Sequence, residues 1–402
     1  MKICDLTNFY HEQSGGVKTY LHQKMDYIAD CRGVEHLVIV PGAANLEKRR
    51  GNSTIQRLKA PELPFARPYR LIMDAGRVDE LLGQFSPDII EVGCPYFLPL
   101  AIAARRKYHC RLAGFYHSDF PRAYVRTTAR LIGRIPAAML EKAAFAYVRA
   151  MYRRMDLTLA PSLAVASALV RHGVGNVQVL SLGVDMKNFH PGLRSRWLRL
   201  RLGIAPEQVL LLYVGRFARE KGLDVLMPAF ELLSAQHPGR YHLLLIGGGA
   251  LEGELREWAA GRAVTVGGYL PADQVAAVYA SADLFVTAGR AETFGLTVLE
   301  AQASGLPVVA AASGAAAETV APGAGVLIRP DDPAGLAAAI AGLPTQNLRS
   351  LGRQARRYVE VNYGWEKTFR KLFAFYRELL GFRRQPLAEA PSGATGRKIA
   401  GA

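Results

Sequence analysis

Short apolar runs alternate with stretches of helical spacing along most of this chain, and that alternation restricts the fold more than any other property of the sequence. HLVIVPG, DIIEVGCP, VLLLYVG, HLLLIGG, DLFVTA and PVVAA lack the every-other-residue polar pattern of a half-solvated strand. Such runs belong to strands buried on both faces, as in a parallel sheet covered by helices. Residues 283–311 give the clearest unit. DLFVTA, the loop GRAETFG, the helical LTVLEAQASG and then PVVAA read as strand, tight loop, helix and buried strand. KICDLT begins a first set of units, followed by Gly15 and Gly16 at the start of a helix on which Val17, Tyr20, Leu21, Lys24 and Met25 recur at helical spacing. A second set begins at VLLLYVG. Between the sets, DMKNFHPGLRSRWLRLRLGIAPEQ has no sheet pattern, and a domain boundary is expected inside it. IQRLKAPELPFARPY is broken by prolines and reads as loop or sheet edge.

The last patterned segment is WEKTFRKLFAFYRELLG. Trp365, Phe369, Leu372, Phe373, Tyr376, Leu379 and Leu380 mark one face of a long amphipathic helix ending near Gly381. The expected organisation is α/β, with one domain over 1–188, a second over 189–364, a helix over 365–382 and a disordered tail over 383–402 rich in Pro, Ala, Gly and charge. The sequence holds no apolar run long enough to span a bilayer, and MKICDLTNFY lacks the long apolar region of a signal peptide, so a cytoplasmic location is expected. Cys4, Cys31, Cys94 and Cys110 are scattered without metal-ligand spacing and read as reduced, small apolar residues.

A formal net charge of +16 implies an acidic partner. Arg105, Arg106, Lys107, Arg111, Arg122, Arg126, Arg130, Arg134, Arg149, Arg153 and Arg154 crowd one stretch, among Tyr124, Leu131, Ile132, Met139, Leu140, Phe145, Tyr147 and Tyr152. That mixture reads either as a patch for an anionic membrane surface or as a basic solvated face over an ordinary core. Nucleic acid is disfavoured, because no nucleic-acid-binding motif accompanies the charge.

The candidate site lies in the loops. In AETFGLTVLEA, Gly295 permits a close turn and the amides of Phe294, Gly295 and Leu296 open a helix, where free N–H groups favour an anion. Glu292 sits in the loop beside that seat, and Glu300 lies one turn past Leu296 on the same helix face. Two acceptors flanking a phosphate suit a sugar nucleotide; an exposed loop acid plus a solvated helix acid is the plainer alternative. Arg216 and Lys221 follow the strand VLLLYVG, and a guanidinium with an ammonium at a strand end suits a diphosphate, with plain surface charge as the alternative. His117 ends another strand at the sheet's ligand edge, with Ser118 and Asp119 after it, and reads either as a structural histidine or as a ligand contact.

In this order and spacing, GRFAREKG, GYLP and AETFGLTVLEAQASGLPVVA closely resemble the donor domain of the retaining glycosyltransferases of family 4, which have the GT-B fold. GGVKTY, FYHSDFP and GVDMKNFHP fit that family's N-terminal half, so the resemblance covers residues 1–380. HSDFP with ETFGLTVLEA looks most like the branch that glycosylates membrane lipids: the sulfoquinovosyl, diacylglycerol and lipid mannosyl transferases.

The resemblance implies two facing Rossmann-like domains with the donor in the cleft, and a helix from Trp365 that crosses back onto the first domain. It assigns the diphosphate to Arg216 and Lys221, with Gly215 beside them, and the ribose hydroxyls to Glu300. Glu292 and His117 would contact the donor sugar. The amides of Phe294, Gly295 and Leu296 would hold phosphate or sugar hydroxyls. Gly268, Tyr269 and Leu270 would meet the base, and Gly16 would back the phosphate from the other domain. The catalytic set is then His117, Arg216, Lys221 and Glu292; Asp119 receives no role. No cofactor and no metal are expected, since no DxD-like motif stands in a suitable loop. The expected activity moves a hexose from a nucleoside-diphosphate sugar to a membrane (glyco)lipid, at the inner face of the cell membrane. A soluble acceptor, a sugar-nucleotide epimerase and a non-catalytic nucleotide-sugar binder are the alternatives.

Overall fold

A computed structural model describes residues 1–11, 15–62, 69–119, 121, 125, 133–290 and 292–381. Arg122, Tyr124, Arg126, Arg130, Leu131, Ile132 and the expected tail over 383–402 lie outside the described residues, as does the side chain of Arg134.

The apolar runs form two sheets. The first contains β1 (Lys2–Leu6), β2 (Glu35–Gly42), β3 (Leu46–Arg50), β4 (Ser53–Lys59), β5 (Ile89–Val92), β6 (Arg111–Phe115), β7 (Leu157–Ala160) and β8 (Val177–Val179). The second contains β9 (Val209–Val214), β10 (Tyr241–Ile246), β11 (Val264–Gly268), β12 (Leu284–Thr287), β13 (Val308–Ala311) and β14 (Gly325–Ile328). Strand orders are β3-β4-β2-β1-β5-β6-β7-β8 and β11-β10-β9-β12-β13-β14. Every pairing is parallel except β3 with β4. The helices are α1 (Gly16–Ala29), α2 (Ala75–Phe85), α3 (Leu98–Tyr108), α4 (Arg134–Tyr152), α5 (Leu163–Arg171), α6 (Arg196–Arg201) and α7 (Leu223–Gln236). They continue with α8 (Glu252–Ala259), α9 (Ala272–Ser281), α10 (Leu296–Ala303), α11 (Ala316–Thr319), α12 (Pro333–Ala341), α13 (Leu348–Asn362) and α14 (Trp365–Leu379).

Chain direction across each sheet reverses at one point. From β1 the chain moves outward through β2, then returns to β5 on the other side; from β9 it moves outward through β10 and returns to β12. Loops diverge at such reversals and leave a crevice at the carboxyl ends of the strands. One sequence expectation is corrected here. Residues 53–59 form an inner strand, paired with both β2 and β3, because LEKRR folds back antiparallel and takes the edge itself. All five residues of β3 are exposed, so no buried pattern marks it, and its charges suit an edge that must not pair further.

Helix α14 packs on the first sheet's layer. Trp365, Phe369, Leu372, Phe373 and Tyr376 are all buried, in one cluster with Tyr20, Leu21 and Met25 of α1 and with Ile3 and Val38 of the sheet. Each such side chain contributes ~1.5–3 kcal/mol by leaving water. The helix therefore crosses back to the first sheet, as the resemblance implied. Gly183 makes room for it, since a Cβ there would stand 2.5 Å from the Trp365 amide nitrogen.

Beneath this contact lies a buried ionic network. The Lys24 ammonium donates to Asp5 Oδ1 at 2.8 Å, Glu91 Oε2 at 3.1 Å and the Tyr376 hydroxyl at 3.1 Å. Asp5 Oδ2 also meets His36 Nε2 at 2.6 Å, and Glu91 accepts from the hydroxyls of Tyr20 and Tyr376. Burial pushes the Glu91 carboxyl up to about 7, against the pull of Lys24, while Lys24 and His36 hold Asp5 well below the usual carboxylate range despite its burial. A lysine at the centre of an otherwise apolar stripe on α1 thus ties three strands to the last helix.

Candidate donor site in the cleft

Most of the residues singled out in the sequence stand just past the carboxyl ends of strands or at the helix starts that follow them. Gly215 and Arg216 follow β9, Gly268 ends β11 with Tyr269 and Leu270 after it, Glu292 follows β12, and His117 follows β6. Gly16 opens α1 after β1, and Leu296 opens α10. The two helix starts meet across the domains, for a Cβ on Gly16 would lie 3.1 Å from Leu296 Cδ1.

The turn into α10 depends on Gly295, whose φ of 81° is left-handed and strained for any residue with a Cβ. Around it, among the described residues, the amides of Phe294, Gly295 and Leu296 meet no protein acceptor, nor does that of Thr297 after them. They form an N-terminal seat with unspent donors and a favourable dipole for an anion. Glu292 is held beside this seat by its own backbone, whose carbonyl accepts from the Ala315 amide at 2.9 Å.

The two cations are paired with acids. Lys221 Nζ lies 2.6 Å from Glu292 Oε1, and Arg216 Nη2 lies 3.0 Å from Glu220 Oε1. Both cations and Glu292 remain partly exposed, so an anionic ligand can compete for the cations. Glu300 is oriented by Tyr279, a fully buried residue of α9 whose hydroxyl donates to Glu300 Oε2 at 3.0 Å. Desolvation pushes the Glu300 carboxyl up to about 7, with the Tyr279 bond pulling it back. A carboxylate kept in so unfavourable a setting for charge suits a group that waits for ligand hydroxyls. Tyr269 is about half exposed, and Leu270 packs against the second domain's core, so the pair can offer a ring edge beside a base.

From the other domain, His117 stacks on Phe115 with ring centroids 4.0 Å apart and packs against Tyr20 at 5.3 Å. Burial lowers its pKa to about 3, so the imidazole is neutral across the physiological range. Its carbonyl accepts from the Thr293 hydroxyl at 3.2 Å, which joins the His117 loop to the Glu292 loop. Glu318 makes a second bridge, accepting from the amides of Leu163 and Ala164 at 2.7 Å each and so capping α5 from the opposite domain. Asp119 is buried and accepts from the Tyr116 hydroxyl at 3.1 Å.

Sequence reasoning missed the residues that hold these groups in place. Arg290 is the chief one: it grips Asp224 with two bonds of 2.7 and 2.9 Å, reaches Asp331, and bonds the carbonyls of Arg219 and Glu220. It thereby fastens the Glu292 loop to the loop carrying Arg216 and Lys221. Tyr279, Thr293 and Glu318 were missed as well, and nothing in their local sequence separates them from ordinary helix and loop residues. Among the described residues, no group of three or more His, Cys, Asp or Glu side chains is disposed to hold a metal ion.

Two family models match the chain, "Glycosyl transferases group 1" over residues 208–346 and "Glycosyltransferase Family 4" over residues 14–188. A GDP-mannose-dependent alpha-(1-6)-phosphatidylinositol dimannoside mannosyltransferase of Mycobacterium tuberculosis is 30% identical over 380 residues, 93% of this chain and 95% of that protein. The sulfoquinovosyl transferase SQD2 of Arabidopsis thaliana is 34% identical over 243 residues; the match covers 59% of this chain and 45% of the plant protein's length. Sucrose-phosphate synthase from Thermosynechococcus elongatus shares the fold with a TM-score of 0.77 at 23% identity, covering 94% of this chain and 99% of that one. Two parallel-sheet α/β domains facing one cleft define a GT-B glycosyltransferase architecture. Within it, the chain belongs to the family 4 glycosyltransferases.

Proposed function

We propose that this protein is a retaining hexosyltransferase that carries a hexose from a nucleoside-diphosphate sugar to a lipid-borne acceptor on the inner face of the cell membrane. The observation that carries the reading is the grouping at the second sheet's switch point. Lys221 meets Glu292, Arg216 stands in the same loop as Lys221, and the unspent amides open α10, the helix that carries Glu300; in this reading they enclose a diphosphate between the two glutamates. In this reading the leaving diphosphate is stabilised by Lys221, Arg216 and the start of α10, with no metal or cofactor required. Glu300 accepts the ribose hydroxyls and Glu292 positions the sugar. The bond from the anomeric carbon to the phosphate oxygen breaks as the acceptor oxygen adds from the same face, and the departing phosphate oxygen takes the acceptor's proton. Neutral His117 can donate to or accept from a sugar hydroxyl without adding a charge beside the developing oxocarbenium ion. The site assignment and the division at 188/189 both belong to this proposal.

A lipid acceptor is supported by the relative named as a phosphatidylinositol dimannoside mannosyltransferase, and by α4. Ile135, Met139, Leu140 and Tyr147 are 76, 68, 45 and 48% exposed on one side of that helix, beside the exposed cations Lys142 and Arg149. An apolar side flanked by cations suits the boundary between headgroups and acyl chains. No helix among the described residues is long and apolar enough to cross a membrane, so the reading takes the protein as peripheral. The test presents a panel of nucleotide sugars with total membrane lipid. One donor should bind and release its diphosphate only when lipid is present. Release with water alone, or a product sugar still attached to nucleotide, would refute the transferase reading.

A further inference from the structure

The first sheet carries a second hollow at the edge opposite the cleft. At the amino ends of β6, β7 and β8 a cavity of about 930 Å³ is lined by Arg105, Arg106, Arg111, Arg153 and Arg154. Two carboxylates, Asp156 and Glu378, share that lining, so five guanidinium groups face two acids and three positive charges are left over. The acids are unequally engaged. Asp156 Oδ1 accepts from Arg105 at 2.8 Å and lies 3.8 Å from Arg111 Nη1, while its Oδ2 takes the Leu112 amide at 2.8 Å. Arg154 turns one nitrogen to the Ala150 carbonyl at 2.8 Å. Arg106 and Arg153 are exposed and have no carboxylate partner among the described residues.

Basic residues at the last turn of a helix often do no more than offset its dipole, and that accounts for Arg105 and Arg106 at the end of α3 and for the pair just past α4. It does not account for Arg111, which begins a strand, nor for a hollow left open where three elements bring their cations together. Ile102, Met155, Phe375 and Leu379 add apolar surface to the same lining. Planar guanidinium forks around a cavity recognise the oxygens of a phosphoryl group. A five-residue strand separates this edge from the cleft by roughly 17 Å, so one small ligand cannot reach both places.

We infer that this cavity is a second binding site, for a multiply charged phosphate-bearing anion, separate from the donor cleft. Its far wall is the last turn of α14, so an occupant braces the crossover helix against the ends of α3 and α4. The same chemistry is offered by a phosphomonoester lipid headgroup and by a free polyphosphate.

Calorimetric titration of the full chain with inorganic tripolyphosphate at low salt tests the site. The background is Arg216→Ala/Lys221→Ala, which removes the cleft's own phosphate-binding cations. Binding should persist there, weaken at least tenfold when Arg106→Ala/Arg153→Ala is added, and stay within twofold when Arg349→Ala/Arg353→Ala is added instead, a charge-matched pair exposed on α13 and outside the cavity lining. Sedimentation with vesicles containing phosphatidic acid, a phosphomonoester lipid, then separates the sources. Vesicle binding that tripolyphosphate displaces and the Arg106/Arg153 variant loses assigns the site to a lipid headgroup; vesicle binding untouched by either assigns it to a soluble polyphosphate. Loss of tripolyphosphate binding in the cleft background alone, or equal weakening by both added pairs, would overturn the inference.

Discussion

Glu300→Gln should make the protein more stable and a poorer enzyme at the same time. The folded structure displaces the Glu300 carboxyl from its ordinary 4.5 to about 7, chiefly by desolvation. At about 1.4 kcal/mol for each pH unit, that displacement corresponds to roughly 3.5 kcal/mol. Glu300 is partly exposed, so solvent screening reduces the net figure to ~2 kcal/mol. The sign follows from proton linkage. A carboxyl with a raised folded pKa binds more protons folded than unfolded, so its contribution is fully present below pH 4.5 and is lost as pH rises through 7. Glutamine stays neutral and can still accept from Tyr279, so it escapes that loss. The variant should therefore melt above the wild type at pH 8, by roughly 4–8 °C for a domain of this size, and nearly with it at pH 5. If Glu300 accepts the ribose hydroxyls, the same change replaces a charged acceptor by a neutral one, and donor KM should rise roughly tenfold. Thermal melts at pH 5 and 8, paired with donor KM, give both answers. A lower melting temperature at pH 8 would show that the carboxylate supports the fold, and an unchanged KM would remove it from the donor site.

The cationic pair should matter to turnover. Arg216→Ala and Lys221→Ala are each expected to lower kcat at least tenfold, ~1.4 kcal/mol or more of leaving-group stabilisation, and steady-state rates equal to wild type would end that assignment. His117 should show no imidazole titration between pH 5 and 9, because its pKa is near 3; a ring-proton NMR midpoint close to 6.5 would contradict the burial argument. Lys24→Met should destabilise the chain by about 3–5 kcal/mol at pH 8, since Asp5 and Glu91 lose the ammonium between them. Urea denaturation monitored by tryptophan fluorescence measures this, Trp365 lying in the same helix as Tyr376.

The parallel units were legible because strands buried on both faces write continuous apolar runs, and the loops at their carboxyl ends were legible because glycines and charges interrupt those runs abruptly. Gly16, His117, Arg216, Lys221, Glu292 and Glu300 all came into view that way. What stayed hidden was pairing between distant positions. Nothing near Lys221 signals that its partner is Glu292, 71 residues away, and nothing near Tyr376 signals Glu91, 285 residues away. Lys24 did leave a trace, as the one charge inside an apolar helical stripe, and Glu91 another, as an acid inside a buried strand. The β3–β4 hairpin was hidden for a different reason: LEKRR buries nothing, and the prolines after Lys59 drew its partner strand into the reading of a loop.

Transfer of a hexose with retention onto a lipid, as proposed for the cleft, has a direct test. Purified protein with its preferred nucleotide sugar, radiolabelled in the hexose, and membrane lipid as acceptor should move label into the lipid phase, in equal amount to the diphosphate released. Proton NMR of that glycolipid should show the donor's own α configuration at the anomeric carbon, and Lys221→Ala should reduce the transfer at least tenfold. A β-linked product, or label that stays wholly in the aqueous phase while diphosphate is released, would contradict it.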